Sequence, residues 1–268
     1  MSVLLEFLYH MFHVRQVAYR TLNVIRSAVS AVATIEGKPA GQHHLVCRFL
    51  RAAQNTRPAL PRYTNTWDPD VVLDYISSLG SNDNLSFIML SRKLTVLLLL
   101  LSGQRFQTIS LFDIHNMSLS STKVSFCVAD LLKTSTPSYH VGEVSFLEFP
   151  RNRDICVVST LGSYLRRSAD VRGSTSSLLV TSTPPYRAAS RDTLIRWTRD
   201  VMVGAGIDVG RFRPYSVKAA GVSKAARSLS LKSIMSAVGW RRESTFRTFY
   251  NMPVFSQGAF GAAVLADV

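Results

Sequence analysis

From Arg213 to Val254 the chain reads as helix, turn, helix, and this stretch constrains the rest most. Ala219, Ala220 and Gly221 are small enough to admit a closely packed neighbour, and Ile234, Met235 and Val238 fall on one helical face. Gly239 predicts the stop of that helix. Ser244-Thr245 predicts the cap of the next one, with Phe246, Phe249 and Tyr250 spaced three and four apart. Read in isolation, Tyr250 is one more aromatic in a core stripe. A chemical role for it needs partners elsewhere in the chain.

The chain has 268 residues, enough for one large domain or two smaller ones. Lys plus Arg number 31 against 17 Asp plus Glu, a formal charge of +14. The basic residues are mixed into folded-looking sequence and form no tail, which favours a polyanionic partner, nucleic acid ahead of an anionic membrane. Cys47, Cys127 and Cys156 are far apart, which fits a reducing compartment and offers no metal spacing. His43-His44 has no acidic or cysteine partner nearby and reads as a loop pair. Met1 to Phe12 lacks the basic start of a signal peptide, so a secreted protein is not expected. The apolar run Leu94 to Leu101 is too short to span a bilayer and predicts a buried helix.

Taken in order, residues 2–35 predict two helices, with stripes Leu4, Leu5, Leu8, Phe12 and then Val17, Leu22, Ile25, Val29, Val32. Glu36 to Gly41 is a turn, and His44 to Arg57 a third helix, basic at Arg48, Arg51 and Arg57. Pro58, Pro61 and Thr64-Asn-Thr-Trp67 break the period and form the linker candidate. Asp68 caps a helix over Val71 to Leu79, and Ser86 to Leu101 is a long one. Val124 to Val128, Leu131 to Ser135 and Val144 to Phe149 predict three strands. Cys156 to Tyr164 is a helix, Leu178 to Thr181 a short strand, and Ser190 opens a helix running to Gly204. The expected fold class is mainly α with a small antiparallel β-sheet (α+β).

Arg105 follows a buried helix, where a charge must find a partner. Taken alone it reads first as an arginine that snorkels to the surface. Lys133, at the end of an apolar segment, reads equally as an edge-strand lysine that discourages aggregation. The set in sequence order changes the reading. Arg57-Pro-Ala-Leu-Pro-Arg62, Gln104-Arg105-Phe-Gln-Thr108, Asp130-Leu-Leu-Lys133, Arg196-Trp197, Ala205-Gly-Ile-Asp208, Ser223-Lys-Ala and Gly239-Trp240 through Tyr250 together resemble the tyrosine recombinase (phage-integrase-like) family. The pattern is most similar to the recombinases of DIRS-type and Crypton-type eukaryotic mobile elements, and covers roughly residues 15–254.

The resemblance implies a helical core-binding-like DNA-binding domain over residues 1–62, N-terminally truncated relative to the family, a catalytic domain over 69–254, and a C-terminal tail over 255–268. It implies a double-stranded DNA partner, self-association on DNA, a nuclear or other reducing intracellular location, and chemistry that uses no metal or cofactor. By position, Tyr250 is the nucleophile that forms a 3′-phosphotyrosyl link, Arg105 a phosphate-binding arginine, Lys133 the general acid and Trp240 an indole donor. Arg48, Arg51, Arg57 and Arg62 are expected at DNA phosphates. The family's His-x-x-Arg box is replaced by Tyr215 and Lys218. Lysine keeps the charge of arginine but loses the bidentate fork, and a phenol does not titrate near neutrality as an imidazole does. Each loss is expected to cost about 100-fold or more in rate. A DNA-binding relic that no longer cuts is therefore the alternative reading.

Overall fold

A computed structural model describes residues 2–58, 63–132, 135–136, 140–253 and 265. Arg62, Lys133 and, apart from Leu265, the tail from Phe255 to Val268 lie outside the described residues. The chain divides into two units, Met1–Arg62 and Tyr63–Val268.

In the first unit, α1 (Ser2–His13), α2 (Tyr19–Val32) and α3 (His44–Thr56) bury Leu8, Phe12, Leu22, Val46, Leu50 and Ala53 against one another. The stripes read from the sequence supply this core, except that Val32 is 87% exposed. It is the last residue of α2, where the chain leaves the core. The expected turn after it is a small hairpin, β1 (Thr34–Ile35) against β2 (Lys38–Pro39). Glu36 and Gly37 close it with φ of 52° and 73°, the left-handed pair that a two-residue hairpin demands. His43 is more than a loop residue: its Nδ1 accepts the Leu45 N–H at 3.3 Å and caps α3.

The second unit is built around α5 (Phe87–Ser102), which is buried almost all round from Leu90 to Leu100. A helix apolar on every side belongs at the centre of a core. α4 (Pro69–Ser78), α7 (Val157–Ser168), α8 (Arg191–Gly204) and α9 (Ser216–Ala225) complete the helical layer, with Trp67, Leu161, Tyr164 and Trp197 among the buried side chains. α9 crosses the end of α5 closely: a Cβ on Gly221 would lie 2.4 Å from the Leu100 carbonyl oxygen. α5 ends at Gly103 (φ 60°), and the chain turns at once into the short α6 (Phe106–Ser110).

Three strands, β3 (Met117–Leu119), β4 (Lys123–Cys127) and β5 (Glu143–Leu147), pair antiparallel in that order. Val124, Phe126, Val144 and Phe146 point into the core, with Phe126 opposite Val144 and Val124 opposite Phe146. The sheet has the expected size but not the expected members. Its third strand precedes β4 instead of following it, and Leu131, Leu132 and Ser135 are not in a strand. Met117–Leu119 is short and mostly exposed, so it shows no alternation to read. Leu131 is 82% exposed while Leu132 is buried, a pattern that mimics a strand without one. Leu178 to Thr181 is likewise a buried loop with one bridge, Val180 to Ala188. Trp67 is no linker residue: it is buried, and its Nε1 donates to Ser216 Oγ at 2.8 Å.

The chain ends its described course with α10 (Leu231–Val238) and α11 (Glu243–Phe249), and Gly239 (φ 77°) stops α10 as its sequence predicts. Ser244-Thr245 does not cap α11, which begins one residue earlier after Arg242. Phe246 is buried and Tyr250, just past the helix, packs half-buried against its cluster, whereas Phe249 is 46% exposed and leaves the stripe.

Two glycines in helix interiors should respond oppositely to alanine. Gly162→Ala in α7 meets nothing within 4 Å and should raise unfolding stability by about 0.5–1 kcal/mol. Gly221→Ala forces α9 off the Leu100 carbonyl and should lower it by about 1–3 kcal/mol; denaturant titration of the pair checks both signs.

Candidate active site

Arg105 is set by the end of α5. Gln104 beside it is buried, donates from Nε2 to the Ala237 carbonyl at 3.0 Å, and accepts from Thr108 Oγ1 at 3.4 Å. This ties the turn to α10 and leaves Arg105, the residue before α6, half-buried at the mouth of two cavities. The first is about 360 Å³ and is lined by Arg105, Arg191, Tyr215, Lys218 and Tyr250 among others. The second is about 570 Å³ and is lined by Arg105, Thr136, Trp240, Arg241, Arg242 and Thr245 with Gly239.

Lys218 stands one turn into α9 and is only 6% exposed. Its Nζ has no hydrogen-bond partner among the described residues. It lies 4.9 Å from the Trp240 ring centre and 5.7 Å from that of Tyr250, whose rings are 4.4 Å apart and tilted by 37°. Burial, and secondarily the Arg105 charge, pull its pKa down to about 6. The Trp240 Nε1 is also buried without a partner among the described residues. Two enclosed donors facing no acceptor are costly, of order 1–3 kcal/mol each.

Burial raises the Tyr250 pKa, and the nearby Arg105 charge works against that rise. The backbone around Tyr250 is pinned. Ser223 Oγ on α9 donates to the Tyr250 carbonyl at 2.5 Å and accepts the Met252 N–H at 3.3 Å. Thr66 N–H donates to the Pro253 carbonyl at 3.0 Å.

The structure thus brings Arg105, Tyr215, Lys218 and Tyr250 to one cavity, with Trp240 against Lys218 and Tyr250 and facing the second. Tyr215 is 58% exposed and packs edge-on against Phe106. Lys133 lies outside the described residues. Ser135 Oγ meets His140 Nδ1 at 2.8 Å, His140 Nε2 meets the Val128 carbonyl at 2.5 Å, and Arg241 Nη1 donates to Thr136 Oγ1 at 3.0 Å. In the first unit Arg48 and Arg51 are exposed on α3. Arg57 is turned inward: its guanidinium sits 3.6 Å over the Phe12 ring and donates to Gln16 Oε1 at 2.6 Å and to the Phe12 carbonyl. Sequence reasoning missed Arg191, Arg241 and Arg242 at the cavities. Arg241 and Arg242 adjoin Trp240, which was signal enough, whereas Arg191 read only as the start of a helix. Among the described residues no cluster of His, Cys, Asp and Glu could hold a metal, and no helix is long and apolar enough to cross a membrane.

No protein-family model matches the sequence, and no curated protein sequence does. Solved structures do match. XerH site-specific recombinase, in a post-cleavage complex with its palindromic difH substrate, superposes with a TM-score of 0.61 at 12% identity, over 99% of this chain and 70% of that one. The fold is that of the tyrosine recombinases. The tyrosine recombinase fold is matched again by the Tn1549 transposon integrase with circular intermediate DNA (TM-score 0.52, 12% identity, 98% and 83% covered). XerA recombinase matches it too (TM-score 0.52, 12% identity, 98% and 81% covered).

The buried amine makes stability depend on pH in a definite direction. Between about 6, its folded value, and 10.5, its ordinary one, the unfolded chain holds a proton that the folded chain does not. Stability from this group therefore rises with pH across that window, by at most about 1.4 kcal/mol per unit. Lys218→Met should be more stable than the native chain at pH 7, and the difference should shrink as pH rises; melting curves of both proteins across the window read it.

Proposed function

We propose that this chain is a site-specific DNA recombinase in which Tyr250 attacks a phosphodiester and holds the cut strand as a 3′-phosphotyrosyl link. The observation that carries the reading is the gathering of Tyr250, Arg105, Lys218 and Trp240, of which Lys218 Nζ and Trp240 Nε1 are buried donors with no acceptor among the described residues. A phosphate oxygen is the acceptor such donors suit, and a pentavalent phosphorus gains most from them, because its extra charge grows on those oxygens. Arg105 contacts those oxygens in this reading, Trp240 adds an N–H, and Lys133 protonates the leaving 5′ oxygen. A covalent tyrosyl link conserves the energy of the broken bond for rejoining.

The DNA partner is supported by the charge of +14 and by the DNA in the complexes of the XerH recombinase and the Tn1549 integrase. Residues 1–62 serve as a core-binding-like domain that contacts phosphates through Arg48 and Arg51, both exposed on one helix. The spent guanidinium of Arg57 argues against its use there. Several protomers act together on two DNA sites, inside the cell, in an element of the DIRS or Crypton kind. A second reading keeps DNA binding and drops cleavage. It is favoured by Tyr215 and Lys218 standing where the family has histidine and arginine.

A nicked suicide duplex carrying the DNA that flanks the gene separates the two. The native chain should give a protein–DNA adduct under denaturing conditions, Tyr250→Phe none, and Arg105→Ala about 100-fold less. Salt-sensitive binding with no adduct, even from Tyr215→His combined with Lys218→Arg, would overturn the cleavage reading and leave the second.

A further inference from the structure

We infer that Lys218 is the general base that takes the hydroxyl proton of Tyr250, not a fixed cation clamping the phosphate. The inference rests on the strand-cleavage reading above and goes beyond it in assigning this proton. It begins with elimination. A tyrosine that attacks phosphorus must lose its proton, and the cavity into which Tyr250 opens has no Asp, Glu or His among its described lining residues. Its charged and titratable groups are Arg105 from the head of α6, Arg191 from the head of α8, Tyr215 just before α9, Lys218 and Tyr250 itself. α5 contributes Leu99 to this wall. α4, also packed on α9, carries Asp70, which is paired with Lys224 further along α9. Guanidinium groups do not accept protons, and a second phenol is an acid in need of the same help. Among the described lining residues, Lys218 is what remains.

Its setting fits the task. A clamp is held by its partners, but this Nζ has none among the described residues and faces the ring pair that Trp240 and Tyr250 form, 4.9 Å from one ring centre and 5.7 Å from the other. Desolvation holds the amine near pH 6, so the neutral, proton-accepting form prevails at neutral pH, as a base working there requires. Bonds between catalytic groups often tighten only when substrate is bound, so the absence of a Tyr250–Lys218 bond in the free chain is compatible with the role.

The step balances. The proton moves from Tyr250 Oη to Lys218 Nζ, the Oη–P bond forms, the P–O5′ bond breaks, and O5′ takes a proton from the acid, Lys133 in the reading above. Rejoining runs the same transfers backwards. The amine becomes an ammonium only while negative charge gathers on the phosphorus oxygens, so the charge that an arginine would supply permanently arrives with the reaction.

The test uses the full chain and an aryl sulfonyl fluoride, which forms an Oη–S bond with an activated tyrosine and expels fluoride. Labelling of Tyr250 is read by peptide mass spectrometry as a function of pH. In the native chain the rate should rise through a midpoint near 6 and then level off. In Lys218→Arg and Lys218→Met, checked as folded by thermal melting, it should fall by about 100-fold at neutral pH and climb steadily with hydroxide. A native profile with no inflection near 6, or a Lys218→Arg protein that labels as fast as the native chain, overturns the assignment. The same proteins go onto the nicked duplex. Adduct formation indifferent to Lys218→Arg sinks the base and spares strand cleavage. Labelling that follows Lys218 with no adduct from any version sinks strand cleavage and leaves the activated tyrosine.

Discussion

α9 passes so close to the end of α5 that the Gly221 position leaves room for the Leu100 carbonyl and little else. That joint sets two things together. One turn back along α9 it fixes Lys218, and a few residues beyond Leu100 it fixes Arg105, so the spacing of the two basic side chains follows from a helix crossing. Gln104 then carries the arrangement across to α10 through the Ala237 carbonyl, and Gly239 ends α10 where Trp240 can turn back over Lys218. The hydrophobic burial of α5 is the foundation for all of it, since a helix buried on every side has no freedom to slide.

The electrostatics of the site are those of basic groups brought together and partly withdrawn from solvent. Burial lowers the proton affinity of Lys218, Arg105 lowers it further, and burial raises that of Tyr250. No carboxylate offsets these effects among the described lining residues of the first cavity. Such a site is poised for an anion, because an oxyanion relieves repulsion among the cations while it satisfies the stranded donors. An arginine in place of Lys218 would stay charged in the empty site and pay that repulsion permanently, so the lysine is a different electrostatic device and not a weaker copy.

Much of this was legible in the sequence where local chemistry and tertiary packing agree. The Asp68 cap, the apolar run of α5, the small residues of α9 and the stop at Gly239 are all visible in the sequence alone. The grouping of Arg105, Lys218, Trp240 and Tyr250 was legible only as an ordered set, because each residue alone has a commoner explanation. Reading failed where a short apolar stretch carried no period. Leu131-Leu132 looked like a strand and is loop, while the real edge strand at Met117–Leu119 is exposed and irregular. It failed too where a long-range bond overrode composition. Trp67 sits in a segment of turn-forming residues, yet its indole is drawn into the core by Ser216, far along the chain. Arg57 looked like a surface cation and is consumed by Phe12 and Gln16.

The bond from Thr66 to Pro253 has a mechanical consequence. It ties the start of the second unit to the end of its continuous described course, so Thr66 and Pro253 are bridged by a hydrogen bond. Tyr250 lies three residues inside that closure and is anchored again by Ser223. A force that parts Thr66 from Pro253 is therefore felt at the strap that carries the tyrosine, and through Ser223 at α9.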